Sequence, residues 1–261
     1  MRRKYLLYGL SLASGVLLAI MVAIDIWIST KIITDPWLFG ISVFWAGFFI
    51  HIFLLVVLSL RILPSKKPLG ASFDPFFQGL IIPDHRTLWY LILAGFGNAL
   101  SSLSYFILIS MIPDPSSVMP FSYLVVVYLI LGEILIEGEK PSQIEVHSIF
   151  MILLGIMLVS VSRGIIDIVG LVIVLGPMNI GAFIFNYAQR KARLIRKGHL
   201  RNDSLNLRFW SLTFTVLIFS ALVYIITSPK IVFVGLLLSM IYFPILAFDM
   251  SITFFAYIFY I

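Results

Sequence analysis

The sequence predicts an all-α integral membrane protein, a polytopic helix bundle of about eight transmembrane helices. Three observations carry that reading. Of the 261 residues, 61% are hydrophobic and only 11% charged, with a mean hydropathy of +1.09, whereas about a quarter of the residues in a soluble domain are charged. Apolar runs long enough for a membrane helix, which needs about 20 residues, recur along the whole chain with polar breaks between them. Lys and Arg fall very unevenly on alternate breaks. Backbone in hydrocarbon must bond to itself, and no alternating barrel pattern appears, so the spans are helices.

Taken in order, the first span runs from roughly 5 to 29. It opens on "MRRKYLLYGLSLASG", but its apolar stretch continues to about Ile28, well past the roughly 7 to 15 residues of a signal-peptide core. The second covers 37 to 62. The connection from Pro64 to Arg86 is the longest, and "FDPFFQGLII" inside it is aromatic and apolar but too short to cross, as expected of a segment lying in the interface. Spans three and four, 88 to 112 and 116 to 136, are parted only by Pro113, Asp114 and Pro115, which predicts a tight antiparallel hairpin on the outer side. Spans five and six, 144 to 162 and 165 to 188, meet at Arg163 and Gly164. The seventh covers 205 to 227, and the eighth, 231 to 261, is longer than a bilayer needs and contains Pro244, which predicts either a kinked helix or an incomplete chain.

Fifteen of the 18 Lys and Arg fall on one set of connections, and the other set holds only Lys31, Arg163 and Lys230. That asymmetry puts the N-terminus in the cytoplasm of a multi-pass protein of the cytoplasmic membrane. The run "QRKARLIRKGHLR" then reads as a topology anchor with affinity for anionic lipid, not as a nucleic-acid patch. With no Cys there is no disulfide framework, no thiolate metal site and no cysteine nucleophile. No phosphate loop, HExxH, GxSxG or pair of Asp-rich motifs is present, so no enzyme, cofactor or metal is expected.

Polar residues at depth are the site candidates. Asp25 and Asp249 are flanked by apolar residues; a carboxylate at mid-helix costs roughly 2.5 to 3.5 kcal/mol on insertion scales, so each should face protein or a water-filled cavity. Asp25 could instead lie at the outer interface near Trp27 and Lys31. His51 could relay protons, or sit buried and neutral with one hydrogen bond. Asn98, with Gly95, Gly97, Ala99, Ser101 and Ser102 around it, reads more as close helix packing than as a solute contact, and Tyr105 follows two turns later on the same face. Asn179 and Asn186 can bond solute or bridge helices, and Trp45 is deep enough to wall a cavity. In "PFSYLVVVYLILGE", Pro120 either sits tolerated near a helix start or kinks the helix and frees a carbonyl. Gly132 and Glu133 mark a compact cytoplasmic hairpin corner. There Glu133, Glu137 and Glu139 crowd the negative end of a helix, each disfavoured by about 0.3 to 1 kcal/mol when exposed. The expected offset is a capping box of Ser142 and Glu145 opening the next helix.

The stretch "GFGNALSSLSYFILISMIPDPSSVMPFSYLVVVYLILGEILIEGEKPSQIEVHSIFMILLGIMLVSV", with Pro120 thirteen residues before Glu133, and "NYAQRKARLIRKG" after the sixth span, resemble the EamA type of the drug/metabolite transporter superfamily. The resemblance implies inverted five-helix repeats around a midplane substrate cavity. Residues 1–163 would form the first EamA-like repeat, and 164–261 a partial second with three helices. No second "P…LGE" hairpin is present and Trp45 stands where the family commonly has arginine, so the chain is expected to be a truncated reading frame or a fragment. The implied function is a secondary transporter moving a small metabolite or drug-like solute by alternating access. Asp25, His51, Asn98, Tyr105, Asn179 and Asp249 are candidates for the substrate or proton path; Pro120, Gly132 and Glu133 are candidates for the gate or hairpin. The alternative is a non-transporting scaffold or partner subunit, or an inactive remnant. The expected partners are the lipid bilayer, a small solute and protons, with a homodimer admitted and nucleic acid excluded.

Overall fold

The computed structural model describes residues 2–61, 67–112, 117–138, 140–163, 167–197 and 200–260. Their principal elements are α1 (Arg2–Lys31), α2 (Pro36–Ser59), α3 (His85–Met111), α4 (Val125–Gly132), α5 (Gln143–Arg163), α6 (Ile168–Ile173), α7 (Asn179–Leu194), α8 (Ser204–Ile226), α9 (Pro229–Ile241) and α10 (Phe243–Tyr260). The extended pairing among the described residues is a two-residue ladder, Arg196–Lys197 against Leu200–Arg201, and one bridge, Arg61 to Pro68. Among the described residues, six helical stretches are long and apolar enough to cross a bilayer, and a seventh if the bent pair α9–α10 counts as one span; the apolar part of α5 described, Gln143–Leu158, is shorter. The protein is therefore a polytopic helical membrane protein. The expected turn at Pro113, Asp114 and Pro115, like Glu139 and Gly164, lies outside the described residues.

Helix starts follow from carboxylate caps. Asp35 accepts from the Trp37 and Leu38 amides at 2.9 Å, with Pro36 in the first turn of α2. Asp84, Asp167 and Asp203 do the same for α3, α6 and α8. Three predicted spans are not plain helices. The fourth begins as a 3₁₀ turn, Met119–Leu124, around Pro120, and ends in a wide turn, Glu133–Glu137, stopped by Gly138 at φ +70°. The sixth is broken between α6 and α7 at Val174–Met178, where Gly176 adopts φ −83°, ψ −107° and Pro177 lacks the amide the ladder needs. The eighth is not one kinked helix: α9 and α10 meet at 90°. Pro244 can donate no hydrogen bond, so α10 restarts with the Ile245 and Leu246 amides on the Tyr242 carbonyl, each at 3.2 Å.

Helix α2 sits at the centre, packed by α3, α8, α9 and α10; α3 packs on α7 and α8, α1 on α10, and α4 on α7. Rings of Phe39, Phe44, Phe106 and Phe219 interlock at the α2–α3–α8 junction, with centroids 5.2 Å apart for Phe39–Phe106 and 4.9 Å for Phe44–Phe219. Two glycines let α3 and α7 touch backbone to backbone: a Cβ on Gly97 would meet the Gly181 carbonyl oxygen at 2.6 Å.

The segment after α2 docks beneath α8. Asp74 accepts from the Ser204 amide and hydroxyl, both at 2.8 Å, and the Trp210 indole donates to the Ile81 carbonyl at 2.9 Å. Phe77 is buried, while Phe73, Phe76, Leu80 and Ile82 are exposed, as an interfacial segment requires. Burial pushes the nearby Asp203 carboxyl above its ordinary range, against hydrogen bonds from Asn206 that pull it down. A carboxyl raised in the folded state binds more protons there than in the unfolded chain, so it lowers stability as pH climbs through and above the ordinary aspartate range. Asp203→Asn keeps a good helix cap without that charge. Thermal unfolding of the two proteins across pH should show the wild type losing ground relative to the variant as pH rises; a gap independent of pH contradicts this.

Candidate functional site

Three sequence candidates from three helices meet in the core. Helix α1 contributes Asp25, α10 Asp249 and α3 Tyr105, which are 5%, 1% and 8% exposed. The Tyr105 hydroxyl donates to Asp25 Oδ2 at 3.3 Å, and the two carboxyl groups are hydrogen-bonded to each other. A hydrogen bond between carboxyls requires a proton on one of them, since an ionised carboxylate only accepts. Asp25 Oδ1 and Asp249 Oδ1 are buried and accept no hydrogen bond from outside the carboxyl pair. The surroundings are apolar: Ile28, Phe106, Leu246 and Met250 belong to the same buried cluster as Tyr105. Asp25 is thus buried within the protein, although Trp27, two residues on, is 49% exposed.

His51 is fully buried on α2 and borders the same helix, α10, further along. Its Nδ1 lies 2.7 Å from the Gly47 carbonyl and its ring stands edge-on to Phe254 at 4.8 Å. A carbonyl only accepts, so Nδ1 carries the hydrogen and Nε2, which has no partner, is left as an acceptor. His51 is not bonded to the carboxyl pair.

Asn98 ties α3 to α8. Its Nδ2 donates to Thr215 Oγ1 at 3.1 Å, Thr215 donates to the Ser211 carbonyl at 2.8 Å, and Gln189 Nε2 of α7 donates to Ser211 Oγ at 2.8 Å. Tyr105, two turns along α3, turns to α1 instead and does not share these partners. This polar seam, with buried Arg208 whose guanidinium lies 5.9 Å from the Phe185 ring centre, was not among the sequence candidates. Its signal was present: Ser204, Arg208, Ser211 and Thr215 follow a 4-3-4 spacing, a single face of α8.

Asn179 and Pro120 belong to a second junction. Asn179, fully buried, donates to the Phe121 carbonyl at 3.0 Å, and in return the Tyr128 hydroxyl of α4 donates to the Leu175 carbonyl at 2.6 Å. Each broken helix therefore offers a main-chain oxygen to a side chain of the other. Tyr128→Phe should lower stability by about 1 kcal/mol, the net value of one such bond, read as a lower midpoint of thermal unfolding in detergent; an unchanged midpoint contradicts the tie. Asn186 bonds only within its own helix, to the Ala182 carbonyl at 2.8 Å.

The hairpin corner is held by packing and by ion pairs. Gly132 lies under the Phe183 ring, with Cζ 2.7 Å from where a Cβ would stand. Glu133 pairs with Arg190, and Glu137 with Lys191 at 2.9 Å, so basic residues at the end of α7 offset the crowded carboxylates. The expected capping box is also present: the Ser142 amide donates to Glu145 Oε2 at 2.6 Å, and the Glu145 amide to Ser142 Oγ at 3.3 Å. The capping box alone was the expected offset; the ion pairs to α7 add to it.

Between the docked segment and the starts of α3 and α8 lies a cavity of about 300 Å³ bordered by Phe76, Ile82, Thr87, Asn202, Asn206 and Trp210. Its polar floor is already bonded: Asn202 donates to Thr87 and to the Ala192 carbonyl, and Asn206 to Asp203 and the Gly79 carbonyl. Compared with protein-family models, with curated proteins and with solved structures, the chain matches none.

Proposed function

We propose that the protein is a secondary carrier of the EamA kind. It moves a small solute across the cytoplasmic membrane by alternating access, with its N-terminus in the cytoplasm and the Asp25–Asp249 pair as the proton-coupling site. The observation that carries the reading is the burial of two hydrogen-bonded carboxyl groups from helices at opposite ends of the chain. Ionisable groups are retained inside membrane proteins chiefly where they move ions, protons or solute. A bundle needing only stability would gain from apolar residues there.

The arrangement of eight spans in inverted repeats is supported by which helices touch. Exchanging span one with six, two with seven and three with eight turns the α1–α10 contact into α7–α3, and the contacts of α2 with α9 and α10 into α8–α3; α2 and α8 meet each other between the halves. In this reading residues 1–163 form one repeat and 164–261 hold three helices of the other.

The test is flux in proteoliposomes holding the folded full chain, with an imposed pH gradient and a library of small metabolites. Uptake of a solute that collapses when the gradient is dissipated supports the reading. Folded protein that moves neither solute nor protons overturns it in favour of a non-transporting membrane subunit, the role that the packing duties of Asn98, Gly132 and Glu133 would equally serve.

A further inference from the structure

A groove of about 360 Å³ runs along the last turns of α2, walled by Phe209 of α8 and by Leu80 of the docked segment. Its floor is Ile52, Leu55, Val56 and Leu60, an i, i+3, i+4, i+8 series that falls on one face of the helix. Leu55 and Phe209 are buried, whereas Ile52, Val56, Leu60 and Leu80 are exposed along the open side. In a polytopic membrane protein that opening faces hydrocarbon. From Ile52 to Leu60 the helix rises about 12 Å, close to the roughly 15 Å of hydrocarbon in one leaflet. At the end of α2 the chemistry changes. Ser59 also borders the groove, and its hydroxyl is buried with no partner among the described residues; a buried O–H without an acceptor is costly. Beyond it, the bridge of Arg61 to Pro68 brings Arg61 and Lys67 to one rim. Both are exposed, and neither belongs to an ion pair among the described residues.

We infer that this groove is the seat of one anionic phospholipid. An acyl chain lies along the α2 face against Phe209, the Ser59 hydroxyl donates to an ester carbonyl, and Arg61 and Lys67 hold the phosphate. An apolar floor, then a single hydroxyl donor, then two cations is the order of hydrocarbon, ester and phosphate in a lipid. A guanidinium matches phosphate with two parallel N–H donors, and an ammonium adds a point charge beside it. A zwitterionic head would bring its own cation against these two. Between Arg61 and Gln78 the sequence offers that cation one carboxylate, Asp74, which is buried and accepts from Ser204 and the Phe76 amide. A head of net negative charge is therefore preferred. So seated, the lipid joins α2, the docked segment and α8, the elements that Asp74 and Trp210 also tie. The site goes beyond the carrier reading and does not depend on it.

The probe is palmitoyl-oleoyl phosphatidylglycerol, compared with phosphatidylcholine of the same chains, added to the delipidated full chain in detergent. Native mass spectrometry counts bound lipid and thermal unfolding reads its effect. The expected result is one phosphatidylglycerol held per chain, at least about tenfold more tightly than phosphatidylcholine, with a rise in Tm as it binds. Arg61→Gln with Lys67→Gln, at exposed positions, should leave the lipid-free Tm unchanged and reduce phosphatidylglycerol to the level of phosphatidylcholine. Arg196→Gln with Lys197→Gln, equal charge removed beyond α7, should keep the preference. Ser59→Ala should weaken both lipids about fivefold, the worth of one hydrogen bond, and Val56→Trp, which fills the groove, should displace both. Equal retention of the two lipids by the wild type, a preference that survives the loss of Arg61 and Lys67, or a dimer of the chain that holds no lipid overturns the inference.

Discussion

Asp249→Asn is expected to reduce gradient-driven flux on the order of 100-fold, the scale of about 2.7 kcal/mol, while leaving thermal stability near or slightly above that of the wild type. The amide keeps the volume of the carboxyl group and can still bond Asp25, so α10 retains its seat against α1. It can neither ionise nor hold an exchangeable proton, so the coupling chemistry is lost while the packing stays. Asp25→Asn should behave alike. The double variant should be no worse than either single one, because two groups that share one proton act as a unit and their losses do not add. Initial rates in proteoliposomes, with reconstitution checked by protein recovery, give the comparison. Additive losses, or a variant with wild-type coupling, remove the pair from the mechanism.

The second large effect is structural and concerns close helix approach. Gly97→Ala should destabilise the protein by about 1 to 3 kcal/mol or more, as overpacking of a tight core does. The new Cβ would lie 2.6 Å from both the Gly181 oxygen and the Phe185 nitrogen, and these are main-chain atoms that cannot swing away. Helices α3 and α7 would have to part, loosening the seam of Asn98, Thr215, Ser211 and Gln189 beside them. Gly155→Ala in α5 is the control: nothing lies within 4 Å of its added Cβ, and alanine favours a helix by up to about 1 kcal/mol over glycine. The same substitution thus lowers Tm at 97 and raises or spares it at 155. Equal shifts at both positions would mean that propensity, not packing, governs α3.

Six of the span positions, or seven with the bent pair α9–α10, were legible because bilayer thickness sets a length that apolar runs must meet. Asp25, Asp249 and His51 were legible as candidates because a polar group in such a run is costly. Their partners were not, since the contact joins the two ends of the chain: Ser14 of α1 bonds the carbonyl of Ala256, 242 residues away. Pro244 announced an interruption, yet its angle depends on where α9 finds a seat, with Gly235 against Ile41 and Ser42 bonded to the Gly235 carbonyl at 3.0 Å. Arg190 and Lys191 were counted only as topology anchors, because their pairing with Glu133 and Glu137 needs α4 and α7 side by side. Arg208 was not singled out for a related reason: it stands close to a basic loop in sequence but is buried in α8.

The meeting of α1 and α10 at their carboxyl residues is what the functional account stands on, and the chain has no Cys to interfere with testing it. Asp25→Cys with Asp249→Cys, treated in native membranes with a short, membrane-permeant bis-methanethiosulfonate, should give an intramolecular cross-link. The link would be read as two fragments held together after cleavage at a protease site inserted between α5 and α6. Recovery of both thiols free on denaturation, with the fragments separating, would contradict the pairing of the two helices.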